Sequence, residues 1–277
     1  MNADVIRLLI GSKCRMEYKH SRKAGNRGDA WKHSVLLALA DVLPATSDTF
    51  RYVESHSGAP VHELGPGGEW ECGVGRFASN ESCDCQYAAV ARRWLALNRY
   101  PASWVMVVDR LAKRFPKVRA TLSDLADSVA ADYPPRGVHV PPNVDVDFRQ
   151  ADGYVVAASL EEADLVFLDP PFHPSADADW QKLAASCRSL AERGVPFVAW
   201  YPFFWPTRPQ RFADITRCEA WEITWASCGA KPSQNLKGCG MLASPQLVPA
   251  LESAAQELKR VSFCLDSAIR VRLSAAV

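Results

Sequence analysis

The sequence predicts an α/β protein built around an open sheet whose strands are joined by right-handed helical crossovers. Five short segments rich in Val, Phe, Leu and Ile are each followed by turn residues, a pattern typical of buried parallel strands. Helical patterns separate several of these segments, and strands that alternate with helices favour an open α/β sheet. The predicted strands are residues 49–54, 117–122, 144–148, 165–168 and 197–200.

Two helices are predicted from the spacing of apolar residues. Residues 180–193 form one such pattern, which ends at Gly194 with a basic residue in the last turn. This pattern lies between two predicted strands, so we expect it to be a crossover helix. Residues 30–43 form the other, with apolar side chains at Trp31, Val35, Leu36, Leu39 and Leu43.

Residues 61–113 interrupt this alternation and predict an insertion after the first strand. They include a Gly- and Pro-rich loop at residues 65–68 and a helical run at residues 87–97. We expect a small helical subdomain here, within a single domain that spans residues 1–277. Residues 133–142 contain four prolines and are predicted to be an irregular loop, because proline has no backbone N–H to donate.

Composition and charge are those of an ordinary globular protein. The net charge is +1 and hydrophobic residues make up 48% of the chain, so overall charge does not identify a nucleic-acid binder. No apolar run reaches the roughly 18 residues needed to span a bilayer. Residues 5–10 are apolar, but Arg7 interrupts them and no clear cleavage site follows, so we predict no signal peptide. We expect a cytoplasmic protein with no membrane partner.

The nine cysteines are predicted to be free thiols in a reducing compartment. Their number is odd, and they are scattered along a chain too long for a disulfide-stapled secreted domain. Cys72, Cys83 and Cys85 raise the alternative of a metal site, but their spacing fits no common zinc pattern. We therefore expect no bound metal.

The strongest chemical signal is the motif Asp169-Pro170-Pro171-Phe172, which directly follows the predicted strand at residues 165–168. Ligands of open α/β sheets bind beyond the carboxyl ends of the strands. The prolines have no N–H group, but their carbonyls accept hydrogen bonds. The Asp169 carboxylate and the Pro170 carbonyl would hold the two hydrogens of an exocyclic base amine, and Phe172 would stack on an extruded base. The alternative is a plain turn that ends the strand.

Polar residues also follow the first three predicted strands. The loop at residues 54–60 contains small side chains, which would let the backbone approach a methyl donor such as S-adenosylmethionine (SAM). Asp124 follows the second strand, where an acid contacts ribose hydroxyls in dinucleotide-binding folds. Asp152 and Gly153 follow the third strand, near the expected position of an adenine ring. For Asp124 alone, a solvated surface acid is the alternative.

Residues 13–33 form a locally basic segment, with seven Lys or Arg against two acids. Phosphate would bind such a patch, and the binding would weaken with salt, although a solvated basic edge is the alternative. Asp29 is predicted to be the N-cap of the first helix, with Lys32 and His33 in the first turn. Cations at that end oppose the helix dipole, which suggests a bound anion or a ligand-binding role.

Taken in order, these motifs resemble the RlmJ family, the 23S rRNA adenine-N6 methyltransferases. The resemblance runs from residue 18 to residue 241 and covers most of the chain. The matching segments are Tyr18-Lys19-His20, Ala24-Gly25-Asn26-Arg27-Gly28-Asp29, Lys32-His33, His56-Ser57-Gly58-Ala59-Pro60, Ala102-Ser103-Trp104, Asp124, Ala151-Asp152-Gly153, Asp169-Pro170-Pro171-Phe172 and Trp200-Tyr201-Pro202.

The resemblance implies a class I SAM-dependent methyltransferase, with a Rossmann-like seven-stranded sheet and a helical insertion after the first strand. It implies SAM as the cofactor, ribosomal RNA as the partner, and Asp169 as the catalytic acceptor for the adenine amine, with Pro170 and Phe172 beside it. We expect a monomer. The residues expected to contact SAM are His33, His56, Ser103, Asp124, Asp152 and Gly153. The residues expected to meet the substrate are Tyr18, Lys19, His20, Lys23 and Lys32.

The chain departs from the family at a few positions. Pro60 replaces a glycine and would stiffen the cofactor loop, Asp124 replaces a glutamate, and Lys23 and Arg27 replace histidines. Two alternatives therefore stay open: a DNA adenine-N6 methyltransferase, and a nucleic-acid-binding relative that has lost catalysis. A small-molecule or protein methyltransferase is a further alternative, against which the basic segment argues.

Overall fold

The computed structural model describes residues 23–45, 47–172, 177–203, 218–225 and 236–272. Its main sheet has eight strands in the order β10-β8-β9-β7-β6-β1-β4-β5. A separate two-stranded sheet pairs β2 with β3. The strands are β1 Thr49–Glu54, β2 Val61–Glu63, β3 Arg99–Pro101, β4 Lys117–Asp124, β5 Val144–Gln150, β6 Leu165–Leu168, β7 Phe197–Pro202, β8 Glu219–Trp225, β9 Gly238–Ala243 and β10 Ser267–Arg272.

Strands β5, β4, β1, β6 and β7 are parallel, so their carboxyl ends share one edge of the sheet. Strand β9 is antiparallel to both of its neighbours, β7 and β8. Read from β5 to β8, this is the seven-stranded class I methyltransferase sheet that the sequence predicts. Strand β10 adds an eighth strand, antiparallel to β8. Periodicity did not reveal β8, β9 and β10, because β9 is interrupted by glycines and β8 by a buried glutamate.

Helices cover the sheet and fill the segment between β1 and β4. They are α1 Arg27–Val42, α2 Gly75–Ser79, α3 Gln86–Leu95, α4 Ser103–Leu111, α5 Asp127–Ala130, α6 Gly153–Ala158, α7 Asp177–Glu192, α8 Val248–Ser253 and α9 Ala255–Cys264. Two short 3₁₀ helices, Glu69–Cys72 and Pro245–Leu247, complete the set in the described residues. The α1 helix packs against α4, α8, α9 and β9, which explains why it is buried along nearly its whole length.

The five predicted strands are present, and three of them extend two residues beyond the predicted ends. The predicted first helix begins earlier than expected, and the prediction that Asp29 is its N-cap is wrong. Asn26 is the N-cap, and its side chain accepts a hydrogen bond of 3.0 Å from the Asp29 N–H. Lys32 and His33 therefore lie in the second turn of α1, beyond the N–H groups of the first turn where the dipole acts most strongly.

Residues 61–113 contain the two-stranded antiparallel sheet of β2 and β3, the 3₁₀ helix Glu69–Cys72, and helices α2, α3 and α4. The predicted helical run at residues 87–97 corresponds to α3. Helix α4 also packs against α1, β1 and β4, and so leads the chain back into the main sheet. The division of residues 61–113 into a subdomain remains our proposal.

The prediction that the cysteines are free thiols is wrong for Cys72, Cys83 and Cys264, which are disulfide-bonded. Cys83 and Cys264 form a disulfide, with Cα atoms 5.5 Å apart and 181 residues between them in the sequence. Their pairing depends on the packing of α9 beside the loop before α3, which sequence spacing does not reveal. Within the described ranges, no group of His, Cys, Asp and Glu is arranged to hold a metal ion. In the same ranges, no helix is long and apolar enough to cross a membrane.

Candidate active site

Four carboxylates lie at one edge of the sheet, at or just past the carboxyl ends of four adjacent strands. Glu54 ends β1, Asp124 ends β4, Asp152 follows β5 and Asp169 follows β6. Three of these were predicted from the sequence, and Glu54 was missed. The signal was available, because Glu54 closes a buried strand at the position where the other three acids also occur.

The turn after β1 is held by Asp124. Its Oδ2 accepts the Gly58 N–H at 3.1 Å, and its Oδ1 accepts the Ala126 N–H at 2.9 Å. Gly58 has a φ of +63°, a conformation that favours glycine, and a Cβ at this position would meet no atom within 4 Å. This turn, residues 55–60, is therefore fixed in shape and open on one side, which leaves room for a ligand beside the backbone. We call it the open turn.

Gly153 is required by a close approach between two strand-end loops. A Cβ at Gly153 would lie 1.6 Å from the Ser55 carbonyl oxygen, so no other residue fits without moving the backbone. Asp152, one residue earlier, caps α6 and accepts the Tyr154 N–H at 2.9 Å. These contacts bring the loops after β1 and β5 together beside the open turn.

His56 lies in the same region. Its Nδ1 is 2.7 Å from the Ser55 hydroxyl, and its ring meets the Tyr154 ring edge-on at 5.0 Å between centroids. Burial lowers the pKa of His56, against the opposing effect of Asp169 and other nearby carboxylates. The Tyr154 hydroxyl is buried and has no hydrogen-bond partner among the described residues. A buried hydroxyl without a partner is costly, so a ligand that bonded to it would be favoured here.

Glu54 is buried inside this edge and is held by two hydroxyl groups. Tyr52 and Ser103 donate to its two carboxylate oxygens, each at 2.5 Å. Burial raises the pKa of Glu54 to about 8, because a charge is poorly solvated there and the hydroxyl bonds only partly offset that cost. Ser103 was predicted to contact SAM, and the structure shows its hydroxyl bonded to the Glu54 carboxyl group.

Asp169 is held by an ion pair with Lys32, a residue far from it in the sequence. The Lys32 Nζ donates to Asp169 Oδ2 at 2.6 Å and also lies 2.8 Å from Asp29 Oδ1. The Lys32 side chain is only 10% exposed, and its Nζ lies 5.6 Å from the centroid of the Trp200 ring. The two carboxylates more than compensate for burial, and together they raise the pKa of Lys32. Lys32 was expected at the substrate, and it lies under Asp169 and not on an exposed basic surface.

Aromatic rings surround the remaining part of the Asp169 motif. The Phe172 ring is 4.9 Å from Trp180 and 6.0 Å from Trp200, measured between centroids. Trp200 lies on β7, the parallel neighbour of β6, and β6 is the strand that precedes Asp169. The sequence drew attention to Phe172, but only the fold shows that Trp180, from α7, joins the same cluster.

Two sets of predicted site residues meet in the structure. Asp124, Asp152, Gly153 and His56 meet around the open turn, whereas Asp169 and Lys32 meet beside the aromatic cluster. His33 is buried on α1, where its Nδ1 is 2.7 Å from the Tyr100 hydroxyl. Lys23 is exposed. Three predicted substrate residues, Tyr18, Lys19 and His20, lie outside the described residues.

The strand order and the acids at the strand ends define a protein with the class I methyltransferase fold. Comparison with known proteins agrees with the predicted resemblance. The chain is 26% identical over 249 residues to ribosomal RNA large subunit methyltransferase J of Haemophilus influenzae, covering 84% of this chain and 86% of that protein. It is 25% identical over 205 residues to the Escherichia coli protein of the same name, covering 68% and 70%.

The fold is also found in a solved structure. A crystal structure of a Legionella pneumophila protein of the DUF519 family superposes with a TM-score of 0.73 at 17% sequence identity, covering 91% of this chain and 98% of that one. No protein-family model matches the chain. The resemblance to the RlmJ family therefore rests on the two sequence relatives, and the fold on the structure.

Proposed function

We propose that this protein is a SAM-dependent methyltransferase that transfers a methyl group to the exocyclic N6 of adenine in RNA, with ribosomal RNA as the substrate. The observation that carries the proposal is Asp169, held by Lys32 and flanked by Phe172, at the strand end next to the open turn. The two sequence relatives, both named as ribosomal RNA methyltransferases, support the choice of polymer.

The residues around the open turn fit SAM. SAM is positively charged at its sulfonium and its amino group, and this edge carries the carboxylates of Asp124 and Asp152. Asp124 and Asp152 would bind the polar groups of the nucleoside, while Gly58 and Gly153 allow close approach of the backbone. When bound, SAM supplies an electrophilic methyl group.

Asp169 and Pro170 would orient the target amine. With Lys32 bonded to Oδ2, Oδ1 of Asp169 and the carbonyl oxygen of Pro170 can accept the two amine hydrogens and leave the nitrogen lone pair facing the methyl donor. The amine nitrogen would gain a positive charge as it takes the methyl group and the carbon–sulfur bond of the sulfonium breaks, and the Asp169 carboxylate would stabilise that charge until the amine releases a proton to solvent. Most of the rate gain would come from positioning and from this fixed charge.

The aromatic cluster would receive the base. An adenine must leave its stack for its amine to reach Asp169, and the lost stacking is recovered on aromatic side chains. Phe172 and Trp200 border Asp169 and offer such faces. Lys32 and Arg27 of the basic segment are buried, whereas Lys23 is exposed and would contact the RNA backbone, so binding should weaken as salt increases.

The departure at Pro60 does not argue for an inactive relative. In the open turn, the left-handed backbone conformation is adopted by Gly58 and not by residue 60. The Pro60 carbonyl accepts the Ala102 N–H at 3.0 Å, at the end of the antiparallel β2–β3 pair. Pro60 therefore leaves the open turn intact. A ribosomal RNA substrate also implies action in the cytoplasm, and we propose that the enzyme acts there as a monomer.

The test is transfer of labelled methyl from SAM to purified ribosomal RNA, with genomic DNA in parallel and nucleoside digestion to identify the product. We expect N6-methyladenosine from the RNA alone. Label in DNA alone would favour the DNA methyltransferase alternative. Absence of label from both polymers, despite SAM binding, would contradict the proposal that ribosomal RNA is the substrate.

Asp169→Ala is expected to lower the transfer rate by at least about a hundredfold, because the fixed charge at the amine is lost. SAM binding, measured by calorimetry, should stay within about twofold of wild type, since Asp169 lies outside the open turn. Substantial methylation by this variant would contradict the role of Asp169.

A further inference from the structure

A cavity of about 340 Å³ lies between α9 and the loop that precedes α3, away from the residues of the candidate active site. This volume falls within the roughly 300–1,000 Å³ that is typical of small-molecule sites. Cys264, at the end of α9, forms part of the cavity wall. The cavity therefore lies directly beside the disulfide that joins Cys264 to Cys83.

The wall of this cavity carries two cations, one acid and one exposed aromatic ring. Lys259 and Arg260 are exposed on α9, and Phe263, one helical turn further on, is 68% exposed. Asp84, in the loop before α3, is also exposed. Arg260 lies 3.5 Å from Glu257, but the Arg260 side chain is 63% exposed and its guanidinium stays accessible to a ligand. These charges are complementary to a small molecule with two carboxylates and one ammonium group.

The disulfide beside the cavity ties the insertion to α9. Two hydrogen bonds join the same parts of the chain: Arg76 Nε donates to the Cys264 carbonyl at 3.0 Å, and Glu257 accepts the Gln86 N–H. Cys83 is 0% exposed, whereas Cys264 is 2% exposed. Among the described residues that line the cavity, Cys264 is present and Cys83 is not. A molecule in the cavity would therefore reach the disulfide at Cys264.

A free thiol already lies close to this disulfide in the sequence, but it is poorly suited to open it. Cys85 is buried, two residues from Cys83. Burial raises the pKa of Cys85, and a thiol that keeps its proton is a poor nucleophile toward a disulfide. The proposed function places the protein in the cytoplasm, where disulfides are usually transient or redox-sensing. Opening the bond there requires a thiol from outside the protein.

We propose that this cavity binds a small anionic thiol of the glutathione class, which opens the Cys83–Cys264 disulfide by thiol–disulfide exchange. The two carboxylates of the thiol pair with Lys259 and Arg260, and its ammonium group pairs with Asp84. The supply of reduced thiol then sets whether the insertion is tied to α9. Of these steps, only the choice of compartment rests on the proposed function.

The exchange proceeds in two balanced steps. The thiolate of the bound molecule attacks Sγ of Cys264, so that a new S–S bond forms there and the bond to Cys83 breaks. Sγ of Cys83 leaves with the bonding electron pair and takes a proton from solvent. A second molecule of thiol then attacks the mixed disulfide and releases Cys264 as a thiol. The two small thiols leave joined by a disulfide, and both cysteines are reduced.

Two single-cysteine variants test which end of the disulfide the cavity exposes. Cys83→Ser keeps the Cys264 thiol in the cavity wall, and Cys264→Ser keeps the Cys83 thiol outside it. Both full-length variants are treated with oxidised glutathione, and the mixed disulfide at the remaining thiol is followed by peptide mass spectrometry. We expect Cys264 to react at least about tenfold faster than Cys83, because the reactivity of a thiol depends on access. Equal rates, or a faster reaction at Cys83, would overturn the role of the cavity.

Charge variants of the disulfide-bonded protein test recognition of the thiol. Reduction at Cys83 and Cys264 is timed with reduced glutathione and with 2-mercaptoethanol, which has neither carboxylates nor an ammonium group. Replacing Lys259 and Arg260 together by Gln should slow glutathione about fivefold more than 2-mercaptoethanol, because two ion pairs are lost. Lys117→Gln is the matched control, since it removes an exposed cation at the start of β4 and outside the cavity. Equal slowing of the two thiols would refute binding through these cations.

These measurements include no methylation assay, so they are independent of the proposed function. If the oxidised wild type contains no Cys83–Cys264 disulfide, or if glutathione shows no dependence on the two cations, the inference about the cavity fails. Transfer of methyl to RNA would still decide the proposed function. Conversely, a protein that methylates neither polymer but shows both expected effects would keep the thiol site and lose the proposed function.

Discussion

The two halves of the strand-end edge are held in place by different means. At the ends of β4 and β5, Asp124 and Asp152 accept hydrogen bonds from backbone N–H groups of nearby loops. At the end of β6, Asp169 is held by the side chain of Lys32, which lies 137 residues away in the sequence. Lys32 in turn depends on α1, whose start is tied to the insertion by a 2.8 Å bond from the Val74 N–H to the Gly25 carbonyl.

This difference implies that cofactor binding and catalysis are separable. Backbone hydrogen bonds around the open turn do not involve α1, so changes in α1 should leave that turn formed. The Asp169 carboxylate, in contrast, is oriented by a side chain from α1 and should respond to any change there. Four substitutions test this separation, from the largest expected effect to the smallest.

Lys32→Met should have the largest effect. It removes the cation between Asp29 and Asp169 and leaves two partly buried carboxylates facing each other, which should cost about 3 kcal/mol of unfolding free energy. We expect kcat to fall about a hundredfold as Asp169 loses its orientation. Denaturant unfolding and single-turnover methyl transfer provide the measurements. Near-normal kcat with normal SAM affinity would show that Asp169 needs no support from α1.

Gly153→Ala should damage the cofactor half. The added Cβ would meet the Ser55 carbonyl oxygen, so the loops after β1 and β5 must separate. Overpacking of this kind should lower stability by about 2 kcal/mol, and SAM affinity should fall with it. Gly65→Ala is the matched control, because a Cβ at Gly65 meets nothing within 4 Å. Equal melting temperatures for the two variants would contradict the close approach.

Asp124→Asn should affect binding more than rate. Asparagine has one carbonyl oxygen and one NH2 group, so its side chain cannot accept from both the Gly58 N–H and the Ala126 N–H. One of the two hydrogen bonds is lost, and the open turn loosens. We expect SAM affinity to fall about tenfold, equivalent to about 1.4 kcal/mol, with kcat at saturating SAM within about twofold of wild type. Calorimetry and initial rates separate the two quantities. A fall in kcat with unchanged affinity would reverse the assignment of the two halves.

Glu54→Gln should give the smallest effect, which is a difference in melting temperature from the wild type that depends on pH. The pKa of Glu54 is raised to about 8 in the folded protein, above an unfolded value of about 4.3. The protonated form therefore stabilises the fold fully below about pH 4, and this contribution is lost as the pH rises towards about 8. Gln stays neutral throughout, so the variant should gain melting temperature relative to wild type between about pH 5 and pH 8. A constant difference across that range would contradict a titrating Glu54.

Much of the fold could be predicted because it is encoded locally. The alternation of apolar strands with helices located β1, β4, β5, β6 and β7. The position of Asp124, Asp152 and Asp169 after those strands then placed three acids on one edge. Strands β8 to β10 were missed, because their glycines, buried glutamates and antiparallel pairing break the apolar pattern. Glu54 was missed because it was taken as the start of a loop, and its burial depends on Tyr52 and Ser103.

The sequence by itself determined the class of sheet, the proposed catalytic motif at Asp169 and three of the acids at the strand ends, because periodicity and strand-end position depend on neighbouring residues. Only the tertiary structure decided that Lys32 pairs with Asp169, that Cys83 bonds to Cys264, and that Tyr100 of the insertion reaches His33. These contacts join residues far apart in the chain, so they depend on how helices pack on the sheet and not on any local pattern.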